Sequence, residues 1–144
     1  MLARRTSLLA RNTSHLMGEW DARFAQYPTF AAGTIPIEWV RCFIHGLGRV
    51  EILKSPHYSH LVSNGSSKAY VNYLREYYPE VNRLEQVARF EELFWSLQEE
   101  PVGVSVLARQ ISPFSRKVLV VDGTHRAAIA AHIGLQKLNV CLTY

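Results

Sequence analysis

The feature that most constrains the fold lies near the C-terminus, where an apolar run ends in a sharp polar turn. Residues 117–121 read Lys-Val-Leu-Val-Val, which is typical of a strand covered on both faces. The turn 122–126 reads Asp-Gly-Thr-His-Arg, and an alanine-rich stretch from Thr124 to Ile133 predicts a tightly packed helix. Gly134 is placed to end that helix in the left-handed conformation. Residues 138–142 then predict a returning strand, which completes a strand–turn–helix–strand unit.

This turn predicts a phosphate-binding site. Gly123 allows a sharp bend and a close approach of ligand to the backbone. The first N–H groups of the following helix have no internal partner and lie at its positive end, which suits a phosphate group. Thr124 adds a hydroxyl, and Arg126 adds a planar fork that can hold two oxygens. His125 either bonds to phosphate or braces the turn. The alternative is that Asp122 caps a helix, Arg126 pairs with a surface acid and His125 is a polar core residue.

The N-terminal third gives weaker signals. Ser14 is placed to cap a short helix that would run to Phe24. A second helix is predicted from Ile35, with Pro36 in its first turn, ending near the glycines at 46 and 48. We therefore treat residues 1–48 as a poorly defined N-terminal extension and residues 49–144 as the domain.

The middle of the chain alternates between the two kinds of secondary structure. Residues 50–53 predict a short strand, residues 55–58 a turn, and residues 67–78 a helix that ends at a proline. Asn82 followed by Glu85 resembles a capping box for a helix that ends near Pro101, and residues 104–107 predict another strand. The predicted class is α+β, a single domain with a small mixed sheet and packed helices.

Composition limits the choice of compartment and partner. The chain has 144 residues and a net charge of +4, but three of its basic residues lie in the first eleven. Without them, 13 basic residues face 12 acidic ones, so total charge does not favour nucleic acid. Cys42 and Cys141 have apolar neighbours and no zinc-like spacing, which predicts buried, reduced thiols in a cytoplasm. No apolar run is long enough to span a membrane, so we expect a soluble protein without a membrane partner.

Residues 121–131 read Val-Asp-Gly-Thr-His-Arg-Ala-Ala-Ile-Ala-Ala, followed by Gly134 and a strand around Val140. This pattern resembles the signature of the ParB/sulfiredoxin superfamily, whose members share a strand–G-x-[HR]-R–helix element that holds nucleotide phosphates. The similarity covers residues 117–143 well and residues 50–98 more loosely, where the layout resembles ParB-like proteins found among bacterial biosynthetic genes. The resemblance implies a ParB/sulfiredoxin-like domain that binds a nucleotide, ATP or ADP first, with Mg²⁺ as a possible companion.

The family's activities differ in what they require. Sulfiredoxin-type repair needs a cysteine before the His-Arg pair, where this chain has Thr124, so that reaction is excluded. Partition proteins carry a helix-turn-helix domain after this fold, and because the predicted last strand is followed by Tyr144 we expect none here. DNA cleavage is disfavoured because no acidic cluster suits two metal ions. Phosphoryl transfer to a small hydroxyl-bearing metabolite, as in the family's free-serine kinases, meets no contradiction.

A kinase needs a group that takes a proton from the acceptor hydroxyl. Glu51 and His57 are the candidates, and Lys54 would neutralise phosphate charge. Each also has a simpler interpretation: Glu51 as a solvated strand residue, His57 as a turn residue and Lys54 as a charge at the sheet edge. His132 is predicted to be a packing or surface residue. Five tyrosines between residues 58 and 78 either stack bases or, as helical spacing favours, belong to the core. The alternative to a kinase is a non-catalytic ParB-like module that binds nucleotide or DNA.

Overall fold

The computed structural model of the chain describes residues 30–99, 105–112 and 114–143. This part forms a small α+β domain, as predicted, with a six-stranded mixed sheet and four packed helices. The strands are β1 (Phe30–Pro36), β2 (Val40–Ile44), β3 (Gly48–Glu51), β4 (Ser105–Gln110), β5 (Val118–Asp122) and β6 (Lys137–Thr143). The helices are α1 (Pro56–Val62), α2 (Ala69–Tyr77), α3 (Arg83–Glu99) and α4 (Thr124–His132).

The sheet has the strand order β1-β6-β4-β5-β2-β3. Strand β5 is antiparallel to β4 and parallel to β2, while β4 is parallel to β6. Antiparallel pairs complete both edges, β1 with β6 and β3 with β2. The apolar run that the sequence analysis interpreted as a strand covered on both faces is β5, a central strand of the sheet, and its first three residues, Val118 to Val120, are buried. The turn predicted to bind phosphate begins at the end of this central strand.

Helix α4 carries the centre of the core. Residues 127–130, Ala-Ala-Ile-Ala, have no exposed surface. Their small side chains let the helix lie close to the strands, and α1 packs against it. Tyr70 and Leu74 of α2 and Phe90 of α3 join the same apolar cluster. The start of α4 is thereby held between the sheet and the other three helices.

The helix predicted from Ile35 to the glycines at 46 and 48 is wrong. Pro36 ends β1, a single 3-10 turn follows over Ile37–Trp39, and β2 then runs to Ile44. In β2 the buried positions alternate with more exposed ones, which is the period of a strand and not of a helix. Residues 30–48 thus add two strands to the same sheet as the rest of the domain. The helix predicted over residues 14–24 lies outside the described residues.

The turn predicted over residues 55–58 is the N-terminus of α1. The Ser55 hydroxyl accepts a hydrogen bond of 3.1 Å from the Tyr58 amide, and Pro56 occupies the first turn, where its missing N–H costs little. The strand predicted over residues 50–53 is shifted, because β3 ends at Glu51 and a 3-10 turn follows. No helix in the described ranges is both long and apolar enough to cross a bilayer.

Candidate functional site

An open cleft of about 340 Å³ lies at the start of α4, and we call it the α4 cleft. It is bounded by the end of β5, by α1 and α2, by the first turn of α3 and by the outer face of β2. Its described lining residues are Phe43, His57, Tyr70, Tyr73, Leu74, Tyr78, Val81, Gln86, Val121, Asp122, Gly123, Thr124 and His125. Four of the five residues of the predicted phosphate turn therefore face one cavity.

The backbone at Gly123 explains why the turn needs glycine. Its φ is +117°, a region that L side chains rarely adopt. A Cβ at this position would lie 2.7 Å from Cγ1 of Val106 in the neighbouring strand β4, closer than packed atoms come. The N-cap position of α4 is Gly123, which has no side chain to cap the helix, and the first backbone bond of the helix runs from the Ala127 amide to the Gly123 carbonyl at 2.9 Å. The amides of Thr124 and His125 precede that bond, as the prediction of an anion site requires.

Two histidines meet beside this helix start. The rings of His57 and His125 are nearly perpendicular, with centroids 4.6 Å apart. His57 is buried, and its Nδ1 has no hydrogen-bond partner among the described residues. Burial lowers the pKa of His57 well below its usual value, and the neighbouring His125 and His60 lower it further. His57 therefore lines the cleft as a neutral ring, and its buried Nδ1 keeps hydrogen-bonding capacity that no described residue uses.

Tyr70 fixes the orientation of His125. The Tyr70 hydroxyl lies 2.8 Å from Nε2 of His125. Burial lowers the pKa of His125 to about 4 and raises the pKa of Tyr70, so at pH 7 the imidazole is neutral and the phenol protonated. The sequence left two roles open for His125, bonding to phosphate or bracing the turn. Its Nε2 takes the bracing role through the contact with Tyr70. The same residue lines the cleft, so the ring takes part in the site as well.

The far half of the cleft is aromatic. Phe43 is about half exposed, and the rings of Tyr73 and Tyr78 lie 5.8 Å apart at a steep angle. Burial raises the pKa of Tyr73 to about 12, so its hydroxyl stays neutral. Gln86, in the first turn of α3, adds an amide that can both donate and accept. Flat apolar walls with one or two polar groups suit a planar ring.

Three residues predicted for the site lie elsewhere. Glu51 is exposed, with its carboxylate 3.7 Å from Arg41 and 3.6 Å from Lys54, and it lines a different pocket. Lys54 is exposed and borders a third pocket beside His45 and α2. Arg126 is only 4% exposed and is not among the described residues that line the α4 cleft. The structure does not bring these charges to the cleft.

Other residues of the cleft were missed or assigned to the core alone. The sequence analysis assigned Tyr70 to the core, and it is fully buried, but its hydroxyl also reaches the site. Phe43 and Gln86 carried no signal, because nothing in their spacing links them to a turn more than 35 residues away. His132 packs against Phe94 and Tyr58 at the other end of α4, in agreement with the packing role predicted for it.

The cleft does not by itself provide a metal site. The part of the chain described above holds no group of three or more histidine, cysteine or acidic residues suited to a metal ion. Magnesium usually takes most of its ligands from substrate phosphates and water.

Comparison of the chain with protein-family models, with curated proteins and with solved structures found no match. The similarity to the ParB/sulfiredoxin superfamily rests on the turn and helix of residues 117–143 and stays a prediction.

Proposed function

We propose that this protein is a ParB-like nucleotide-binding protein whose ligand lies in the α4 cleft. The phosphates would meet the start of α4, and the base would lie among the aromatic rings of the far half. One observation carries the proposal: a single cleft joins the first turn of α4 to an aromatic wall and includes buried His57, whose Nδ1 has no described hydrogen-bond partner.

The phosphate end rests on backbone geometry. The amides of Thr124 and His125 lie at the positive end of a nine-residue helix, and both residues line the cleft. Such a helix end favours an anion even where no cationic side chain is present. The hydroxyl of Thr124 can donate a further hydrogen bond to a phosphate oxygen.

The base end rests on shape and size. A volume of about 340 Å³ is at the lower limit for small-molecule sites, which run from roughly 300 to 1,000 Å³. It accommodates a heterocycle with a sugar, while the rest of the ligand would reach toward solvent. Phe43, Tyr73 and Tyr78 supply stacking surfaces, and Gln86 supplies one polar contact for an edge of the ring.

Two activities fit such a ligand. The first is phosphoryl transfer to a small hydroxyl-bearing metabolite, in which neutral His57 would accept the proton of the attacking hydroxyl. The second is nucleotide binding without turnover, as in a switch or adaptor. The second is favoured by the position of Glu51 and Lys54, because two of the three side chains expected to assist transfer lie outside the cleft.

Binding is tested by titrating the protein with ATP, ADP, CTP and GTP, with and without Mg²⁺, following heat of binding and melting temperature. Gln86→Glu places a carboxylate in the cleft, and Gln98→Glu makes the same change on an exposed site of the same helix. We expect one nucleotide to bind, with affinity at least about tenfold lower in Gln86→Glu and unchanged in Gln98→Glu. Failure of all four nucleotides to bind would refute the proposal.

Turnover is tested with the nucleotide that binds, labelled at its terminal phosphate, against free serine and other small alcohols. Label transferred to an acceptor, and lost in His57→Gln while nucleotide binding persists, supports the phosphotransferase. Binding without transfer to any acceptor supports the non-catalytic module.

A further inference from the structure

The α4 cleft has a shortage of positive charge. No described residue that lines it is a lysine or an arginine, and Asp122 contributes a carboxylate. The start of a helix supplies only about half of a positive charge. Arg126, the next residue of α4 after His125, is buried and does not line the cleft. A phosphate group with two negative charges would therefore contact a cationic side chain in the cleft only if a lining residue becomes protonated. The two histidines are the described lining residues that can do so.

The geometry favours His125 as that group. It is the second residue of α4, next to the amides that would face the phosphate. A protonated imidazole donates from both ring nitrogens. Nε2 lies 2.8 Å from the Tyr70 hydroxyl. Because a hydroxyl can accept as well as donate, this contact persists when Nε2 carries a proton. The other nitrogen would then donate to the phosphate.

We propose that His125 takes up a proton when a phosphate group binds in the α4 cleft, and that it holds this group as an imidazolium. The inference rests on the proposed nucleotide binding and goes beyond it, because it identifies the cation of the site and the charge state of the complex. Tyr70 is the positioning residue that accepts the second N–H of the protonated ring.

The surroundings of His125 decide whether binding of a phosphate group raises or lowers its pKa. In the free protein the ring is neutral at pH 7, since burial keeps its pKa at about 4. A dianion at hydrogen-bond distance favours the charged form and raises that pKa. His57 stays neutral beside it, because one protonated ring disfavours protonation of the other. The described titratable and charged groups around the ring include His57, His60, Tyr70, Tyr73, Tyr78, Asp122 and the buried Arg126 that follows His125 in α4.

The third helix adds an apolar neighbour to this environment. Phe90 of α3 contacts the His125 ring edge to face, with centroids 4.9 Å apart. The next residue, Glu91, bonds to His60 at 3.3 Å, on the far side of His57. No described lysine or arginine lines the cleft to compete with the imidazolium for the phosphate.

Proton uptake is measured by calorimetric titration in two buffers whose protonation enthalpies differ. The probe is whichever of ATP, ADP, CTP and GTP binds, with a chelator present and no Mg²⁺, between pH 7 and 8 so that the nucleotide's own phosphate titrates little. We expect the wild type to take up roughly 0.5 to 1 proton more than His125→Gln, and its affinity to rise up to about tenfold per unit fall in pH. His132→Gln, the same change at the other end of α4, should match the wild type.

The outcomes separate the inference from the function on which it rests. If none of the four nucleotides binds, both are overturned. If one binds and the wild type and His125→Gln take up equal numbers of protons, the inference alone is overturned. If His125→Gln does not fold, ¹⁵N spectra of histidine-labelled wild type replace it: an imidazolium signal that appears at saturation supports the inference, and its absence overturns it.

Discussion

Replacing Gly123 by alanine tests whether the turn is built around a close approach of two strands. The backbone at this position has a φ of +117°, and the added methyl group would lie 2.7 Å from Cγ1 and 3.0 Å from Cβ of Val106. Gly134 provides the matched control. It also has a positive φ, of +87°, but a methyl group there would meet nothing within 4 Å.

The two substitutions should differ in cost. A non-glycine residue held in the left-handed region costs about 1–2 kcal/mol, which is the whole expected effect for Gly134→Ala. Gly123→Ala carries a similar strain and adds the clash with Val106, and overpacking of a core typically costs about 1–3 kcal/mol. We therefore expect a loss of about 2–5 kcal/mol for Gly123→Ala. This is a large fraction of the roughly 5–15 kcal/mol that stabilises a domain.

Urea unfolding of the two variants and the wild type measures these free energies. A third background, Val106→Ala, removes the atom at 2.7 Å but leaves the Cβ at 3.0 Å, so it should relieve part of the clash. Gly123→Ala should consequently cost less in that background, by about 1 kcal/mol. Equal losses for Gly123→Ala and Gly134→Ala, or no coupling to Val106, would refute the claim that close packing fixes this turn.

Three further predictions concern the buried polar groups. Tyr70→Phe removes the hydroxyl from Nε2 of His125 and should cost about 1–3 kcal/mol in urea unfolding, without a change in far-UV circular dichroism. Because the pKa of His125 falls from 6.5 to about 4 on folding, its contribution is complete above pH 6.5 and is lost as the pH falls toward 4; the wild type should lose about 3 kcal/mol more than His125→Gln over that range. Burial raises the thiol pKa of Cys42 to about 11 and of Cys141 to about 12, so a thiol reagent at pH 8 should modify both in urea and neither in the native protein.

The sequence predicted those elements whose signals are local. The apolar run of β5, the alanine-rich α4 and the left-handed Gly134 all appear where short-range rules place them. The cap of α3 does too, since the Asn82 side chain accepts from the Glu85 amide at 3.1 Å.

The elements that were missed depend on distant partners. Pro36 suits both the first turn of a helix and the end of a strand, and local rules cannot choose. The choice is made by pairing with Lys137 of β6, about one hundred residues away, and β2 is held in turn by Val118 of β5. Helix α1 has only seven residues, too few to show a helical period.

The residues of the candidate site also divide into those that local signals predict and those whose positions depend on distant contacts. Helix chemistry alone predicted a site at Gly123 and Thr124, because any helix that follows a glycine turn offers its amides, and both residues line the α4 cleft. The sequence did not predict which way the Arg126 side chain points. Successive helical residues are rotated by about 100°, and the packed face of α4 decides which side chains turn inward. With His125 facing the cleft, Arg126 turns into the protein and is almost fully buried. The contacts of His125 with His57 and Tyr70 join residues more than 50 positions apart.

The shortage of positive charge bears directly on the choice between the two proposed activities. Sites that transfer phosphoryl groups gather cations around the developing charge, from lysine, arginine or metal ions. In the α4 cleft the described residues leave two sources, a metal ion that arrives with the nucleotide or a proton on His125. These sources compete, because an ion that neutralises the phosphates also reduces the negative charge that raises the pKa of His125. If Mg²⁺ tightens binding and abolishes proton uptake, the complex has the charge balance that transfer requires. If proton uptake persists and Mg²⁺ does not tighten binding, the ion is not held at the phosphates, which favours binding without turnover.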